Sequence, residues 1–377
     1  NMAFKMAFIG AGSIGFTRKL VSDLLSVPEF DDIHITLMDI NEHNLDMIRQ
    51  LLERDIKANG LNKVNLDTTT DLAAAVKGAK YVINAARVGG LEAFALDIEI
   101  PLRYGIDQCV GDTICAGGIM YGQRGVAMIL DLCRHIKAEA RDDVLMLNYG
   151  NPNAMITWAA NQFGGVPTVG LCHGVQGGHQ QIADALGVPK EELDIICAGI
   201  NHQTWYIKLQ YKGEDMTGKL LEAYENDPEL SRKEKVRIDM LKRFGYYSTE
   251  SNGHLSEYVP WYRKRPEEIK DWIAMDSWIL GETGGYLRVC TEKRNWFVED
   301  FPKWMAEDPA TFGSENRSNE HGSFIIEGLE TGRIYRGHFN VVNNGTISNL
   351  PDDAIVEVPG YVDALGMNIP RVGDLPL

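Results

Sequence analysis

One glycine pattern constrains this chain more than any other feature. Residues 5–16 read KMAFIGAGSIGF, a short apolar run followed by Gly10, Gly12 and Gly15 in G-x-G-x-x-G spacing. RKLVSDLL then shows the i, i+3, i+4 apolar period of a helix. Strand, tight turn and helix in that order predict a dinucleotide turn that also contains Ser13. The first glycine permits the bend, the second lets backbone approach a pyrophosphate, and the third lets helix and strand pack closely. Asp39 closes the next apolar run, IHITLMDI, and offers an acceptor for ribose hydroxyls that would repel a 2′-phosphate. NAD is therefore expected over NADP.

Alternation continues beyond the turn. HNLDMIRQLLERDIKA and GVAMILDLCRHIKAEA carry helical periods, KYVINAA and DVLMLNYG read as strands, and LDTTTDLAAAV lies between the first helix and KYVINAA. The expected class is α/β, a Rossmann-like doubly wound parallel sheet with helices on both faces. TVGLCHG and LDIICAGIN carry the strand-rich reading to about residue 210, residues 218–310 read as helices, and residues 320–360 alternate like strands. We expect an NAD-binding domain over 1–200. A second α+β domain over 201–377, for substrate, metal and oligomer contacts, would pack on the sheet's carboxyl edge, as in lactate and malate dehydrogenases.

A chain of 377 residues has room for two packed domains or one large α/β unit. Its formal charge of −16 argues against a nucleic-acid partner. No apolar run is long enough to span a bilayer, no signal peptide is evident, and Asn1 ahead of Met2 reads as a cloning remnant. The six cysteines (Cys109, Cys115, Cys133, Cys172, Cys197, Cys290) lack paired spacing, which fits free thiols in a reducing cytoplasm.

The remaining chemistry is expected at strand ends, where folds of this class bind ligands. Asn84 and Arg87 in VINAARVGG would either face the cofactor groove or support a loop. Cys172 in GLCHGVQGG and His202 in AGINHQTW each close an apolar run, so a thiolate and an imidazole could share one divalent ion with positions left for substrate. Spacing alone favours the plainer alternative, a buried thiol and a hydrogen-bonded histidine. Asn148, Asn151 and Pro152 follow another apolar run, and Asp112 lies on a glycine-rich loop.

Taken together, FIGAGSIGF, LMDI, VINAARVGG, GDTICAGGI, NYGNPNAM, GLCHGVQGG, AGINHQTW, FGYYSTESNGHLSEYVPWY and VVNNGTISNLPDDAIVEVP resemble glycoside hydrolase family 4 over nearly the whole chain. The FGYYSTESNGHLSEY segment is most similar to its α-galactosidase branch. The resemblance implies cleavage of a small α-glycoside by oxidation at C3, deprotonation at C2, loss of the aglycone and addition of water. NAD⁺ would act as a recycled catalyst beside a divalent metal, usually Mn²⁺. It implies Cys172 and His202 as metal ligands and Asn151 and Asn201 as sugar contacts. His173 stands where the phospho-sugar branches often have Asp, which points to unphosphorylated substrates.

His254 matches the position of the C2 base, a metal-bound hydroxide being the alternative, and Asp112 and Glu250 are both candidates for the general acid. α-Glucoside or α-galacturonide specificity stays open within the family. Relatives are dimers or tetramers and continue beyond RVGDLPL, so the chain reads as shortened at its C-terminus. Two readings from other classes compete. A 2-hydroxyacid dehydrogenase would need a substrate-binding arginine pair, and no arginine-rich loop is present. A non-catalytic NAD sensor would not need the thiol.

Overall fold

In the computed structural model, which describes residues 3–276 and 281–376, the opening apolar run is strand β1 (Lys5–Ile9) and the glycine turn enters helix α1 (Ile14–Leu25). The first half continues with β2 (His34–Met38), α2 (Glu42–Ala58), β3 (Asn65–Thr69), α3 (Leu72–Val76), β4 (Tyr81–Asn84), α4 (Gly90–Arg103) and α5 (Ala116–Glu139). After these come β5 (Leu145–Asn148), α6 (Asn153–Trp158) and β6 (Thr168–Gly170). The strands lie in the order β3-β2-β1-β4-β5-β6, every neighbouring pair parallel. This is the doubly wound order, with its switch point between β1 and β4. Met6 and Phe8 pack with Leu20, Leu24 and Ile48 of α1 and α2, while Ala7 and Ile9 pack with Ile129, Leu132 and Ile136 of α5. Burial on both faces explains the uninterrupted apolar run of β1.

The second half comprises α7 (Gly174–Leu186), β7 (Leu193–Ile200), β8 (Gln203–Tyr211), β9 (Glu214–Asp215), α8 (Thr217–Asn226), α9 (Pro228–Lys233) and α10 (Lys235–Phe244). It continues with β10 (Tyr247–Ser248), α11 (Asn252–Tyr258), α12 (Ile269–Trp272), α13 (Gly285–Glu292), α14 (Trp296–Ala306), α15 (His321–Thr331), β11 (Tyr335–Val342), β12 (Ile355–Asp363) and β13 (Gly366–Asn368). Among the described residues, no helix is long and apolar enough to cross a membrane.

Two features depart from the sequence reading. First, the strands of the second half extend the same sheet instead of forming a body on its carboxyl edge. β11 pairs antiparallel with β6, β12 pairs with β7, and the sheet runs on through β8 to β10. The short β6 would otherwise leave its outer N–H and C=O groups unpaired. Second, residues 321–331, expected to alternate as strand, form α15. Gly322, Ile325, Ile326 and Leu329 follow a helical period, and Gly332 at φ +79° ends the helix.

The buried histidines of this half set a stability dependence on pH. His321 is 1% exposed, bonded between Tyr335 Oη at 2.6 Å and the Cys172 carbonyl at 3.1 Å, and burial lowers its pKa to about 4. An unfolded histidine takes up its proton near pH 6.5, so stability from the neutral ring is present above that value and lost as pH falls towards 4. At about 1.4 kcal/mol per pKa unit, roughly 3 kcal/mol is at stake. Denaturant titration should show a gap between wild type and His321→Gln that is widest near neutral pH and narrows steadily towards pH 4. A gap independent of pH would contradict this assignment.

Candidate active site

A single register row carries the site across the sheet. Ile9, Asn84, Asn148 and Gly170, which end β1, β4, β5 and β6, pair in sequence, and the row continues through Asn340, Glu357, Gly199 and Thr204. Its polar side chains are buried and bonded to one another. Asn84 Nδ2 donates to Asn148 Oδ1 at 2.9 Å, and Asn340 Nδ2 and Thr204 Oγ1 each donate to Glu357 at 2.9 Å. Gly170 admits no side chain, since a Cβ there would lie 2.1 Å from Asn153 Oδ1.

At the first end of this row the glycine turn is closely walled. Gly10 sits at φ +84°, with its would-be Cβ 2.6 Å from the Ala86 nitrogen. The Gly12 N–H donates to Asp39 Oδ2 at 2.8 Å, and a Cβ on Gly12 would stand 2.6 Å from that oxygen. Ser13 precedes α1 without making a side-chain cap, and Gly15 faces Trp296. Beyond Asp39, the exposed Ile40 with Asn41, Glu42 and Thr70 lines an open cavity of about 650 Å³. A bare turn beside a carboxylate and an exposed isoleucine fits a dinucleotide. Asn84 is fully buried and bonds Asn148 and the Ala86 N–H, so it supports the loop beneath the turn. Arg87 lies over the rings of Phe94 and Tyr121 at 4.2 and 5.0 Å.

Beyond the other end of the row, Cys172, His202 and Glu250 bring a sulfur, a nitrogen and a carboxylate oxygen within 4.8 Å of one another, and Asp112, His202 and His254 bring a carboxylate oxygen and two ring nitrogens equally close. His202 is the second residue of the two-residue turn between β7 and β8 and holds φ +64°. That left-handed backbone costs a residue with a Cβ about 1–2 kcal/mol, a strain that concentrates at functional positions. Glu250 Oε1 lies 3.7 Å from His202 Nε2, and Oε2 lies 3.7 Å from His254 Nδ1. A Cβ on Gly174 would lie 2.3 Å from Glu250 Oε1, so the glycine after Cys172 and His173 makes room for the carboxylate. Burial opposes charge on both His202 and Glu250, yet each stabilises the other. His202 is pushed well above the usual imidazole range, and Glu250 is held below the usual carboxylate range with further help from His254. Enclosure raises the Cys172 thiol against the pull of His202. This donor set fits a divalent ion that would displace protons from the thiol and the imidazole.

The other expected residues surround this cluster. Asn151 Nδ2 reaches Asp112 Oδ2 at 3.5 Å. Asn201 is buried, donates to Glu357 at 3.4 Å and has no partner for its Oδ1 among the described residues. His173 is 74% exposed and points Nδ1 towards Glu320 Oε1 at 3.8 Å. His254 Nδ1 bonds Ser251 Oγ at 2.6 Å. Sequence reasoning missed three neighbours. Tyr258 Oη lies 3.3 Å from His202 Nδ1, and its place four residues after His254 on α11 was a usable signal. Thr113 lies 2.9 Å from the same nitrogen, and Glu357 reaches the site only because β12 enters the sheet beside β7.

Comparison with known proteins assigns the family. A model described as family 4 glycosyl hydrolase matches residues 5–188, and one for its C-terminal domain matches residues 197–377. The chain belongs to glycosyl hydrolase family 4. The family 4 chain is 58% identical to an α-galactosidase of Rhizobium meliloti (strain 1021) over 97% of its own length and 75% of that protein's. It is 33% identical to an α-galactosidase of Bacillus subtilis (strain 168), over 99% and 84% of the two chains. A 6-phospho-α-glucosidase from gut microorganisms, solved with NAD and glucose-6-phosphate, superposes with TM-score 0.78 at 27% identity, covering 100% of this chain and 86% of that one. Malate dehydrogenase of Plasmodium falciparum shares the fold alone, with TM-score 0.53 at 14% identity over 99% and 91% of the chains. The dehydrogenase-like architecture is therefore present in a glycosidase family.

The Gly12–Asp39 contact gives a direct test of the turn. Gly12→Ala should weaken NAD⁺ binding at least about tenfold, equivalent to about 1.4 kcal/mol, with the far-ultraviolet circular dichroism spectrum unchanged. Equal affinities in a fluorescence titration would remove the turn from the binding site.

Proposed function

We propose that this family 4 chain is an α-galactosidase acting on unphosphorylated sugars through oxidation at C3, loss of the C2 proton, elimination of the aglycone and addition of water. The observation that carries the reading is that a dinucleotide turn follows β1 and a thiol–imidazole–carboxylate cluster gathers beside β6, β7 and β8, strands joined by one register row of one sheet. The two α-galactosidases similar to it support galactose over glucose or galacturonic acid. Bound NAD⁺ would supply reversible hydride acceptance at C3, and a divalent ion, Mn²⁺ in this reading, would supply positive charge beside the C2 and C3 oxygens.

The residues divide the rest of the work. Gly10, Gly12, Ser13, Gly15, Asp39 and Arg87 would hold the dinucleotide over the supporting Asn84. Cys172 and His202, joined by Glu250, would hold the ion. Asn151, Asn201 and His173 would orient the sugar, with the unpartnered Asn201 Oδ1 free to accept from a hydroxyl. His254 is assigned the C2 proton, because Ser251 occupies Nδ1 and leaves Nε2 to act. Glu250, held ionised between two histidines, suits ligation better than proton donation. Asp112 is accordingly assigned as the acid that protonates the leaving oxygen. In this division residues 1–200 carry the dinucleotide and residues 201–377 complete the sugar and metal side.

A panel of nitrophenyl α- and β-glycosides, assayed with and without NAD⁺, Mn²⁺ and a thiol reductant, tests the reading. The α-galactoside should be cleaved only with all three present, with no net formation of NADH. Cleavage that persists without NAD⁺, or NADH accumulating on a 2-hydroxyacid, would overturn it.

A further inference from the structure

We infer that Thr113 is a positioning residue that decides which ring nitrogen of His202 faces the cluster, by bridging the imidazole to the Asp112 carboxyl group. Thr113 is 2% exposed. Its Oγ1 donates to Asp112 Oδ1 at 2.8 Å and lies 2.9 Å from His202 Nδ1. A hydroxyl has one hydrogen, and here it is committed to Asp112. The contact with His202 is therefore a bond only when Nδ1 carries the ring hydrogen and the threonine oxygen accepts it. Nε2 on the opposite side of the ring, 3.7 Å from Glu250 Oε1, is then the nitrogen whose lone pair is available to an ion.

The bridge answers a problem that the backbone leaves open. The left-handed turn fixes where the His202 Cα–Cβ bond points, but the ring torsion is broad and nearly two-fold. A ring turned over would present carbon towards Thr113 and forfeit the bond. Tyr258 Oη, at 3.3 Å, is a longer second acceptor for the same hydrogen. Thr113 is itself held in place. Glu257 accepts the N–H groups of Cys109, Val110 and Gly111 at 2.7, 2.9 and 3.0 Å, and a Cβ on Gly118 of α5 would lie 2.0 Å from the Thr113 carbonyl oxygen. The bond uses Oδ1 of Asp112, while Oδ2, reached by Asn151 Nδ2 at 3.5 Å, is the oxygen turned to the sugar contacts.

The inference rests on the reading of Cys172, His202 and Glu250 as a metal site, and the test separates the two. Mn²⁺ is titrated into dinucleotide-free wild type, Thr113→Val, Thr113→Ala, Thr113→Ser and Cys172→Ser, and free Mn²⁺ is read by electron paramagnetic resonance, with Tm measured alongside. Thr113→Val should keep the shape and the Tm but weaken Mn²⁺ about 10–100-fold, the usual range for losing such a partner, and Thr113→Ala should do the same. Thr113→Ser, which restores the hydroxyl, should return the affinity to within about threefold of wild type. Wild-type affinity in Thr113→Val or Thr113→Ala, or failure of serine to restore it, would overturn the bridge while Cys172→Ser still abolished binding. Wild-type affinity in Cys172→Ser would instead overturn the metal site.

Discussion

The chemistry of this molecule rests on a row of backbone register that crosses parallel and antiparallel strands without a break. From Ile9 to Thr204 the paired residues include Asn84, Asn148, Asn340 and Glu357, all buried in a sheet whose neighbouring positions are largely apolar. A buried amide or carboxylate left without a partner costs about 1–3 kcal/mol, so these groups are stable only when the strands stand in this register. Slipping β11 by one residue would turn Asn340 away from Glu357 and put a different residue against Gly170, where no space exists for a side chain. The polar row therefore acts as a gauge. It sets the ends of β1, β4, β5 and β6 at one height and brings the β7–β8 turn to the same level.

That gauge explains how a dinucleotide turn and a metal-type cluster come to share one edge. Ordinary doubly wound folds end their working sheet at β6. Here the β11–β12 and β7–β8 hairpins extend it, and the added strands deliver His202 in a strained turn opposite Cys172, which follows β6 by two residues. Glu250 then arrives from the segment before α11 and pairs electrostatically with His202, while Gly174 leaves space for it. The stretch that holds Cys172, His173 and Gly174 thus serves three purposes. It supplies a sulfur, an exposed imidazole and an absence of side chain.

Much of the first half was legible in its residues. The glycine turn, the Asp39 that accepts from Gly12, and the alternation of apolar runs with helical periods all depend on local chemistry that a sequence displays directly. The second half was less legible because its decisive contacts are long-range. Nothing in RGHFNVV or AIVEVPGYV announces that these strands insert between β6 and β7, so Glu357 carried no signal of its place beneath Asn201. The α15 segment is masked by neighbours that alternate like strands, although its own apolar spacing is helical. Asp112 stood out as a carboxylate on a glycine-rich loop, but Thr113 beside it could be recognised only once His202 was seen 2.9 Å away.

The central claim is that the sugar is cleaved by way of its C2 carbon, with the proton there removed and returned. The most direct measurement is hydrolysis of an α-galactoside in D₂O, with the galactose analysed by NMR and mass spectrometry for deuterium at C2. The account predicts deuterium at C2 in the released galactose, with C3 retaining its original hydrogen. Galactose that carries no deuterium at C2 after complete hydrolysis would contradict it and place this chain among enzymes that break the glycosidic bond by direct displacement.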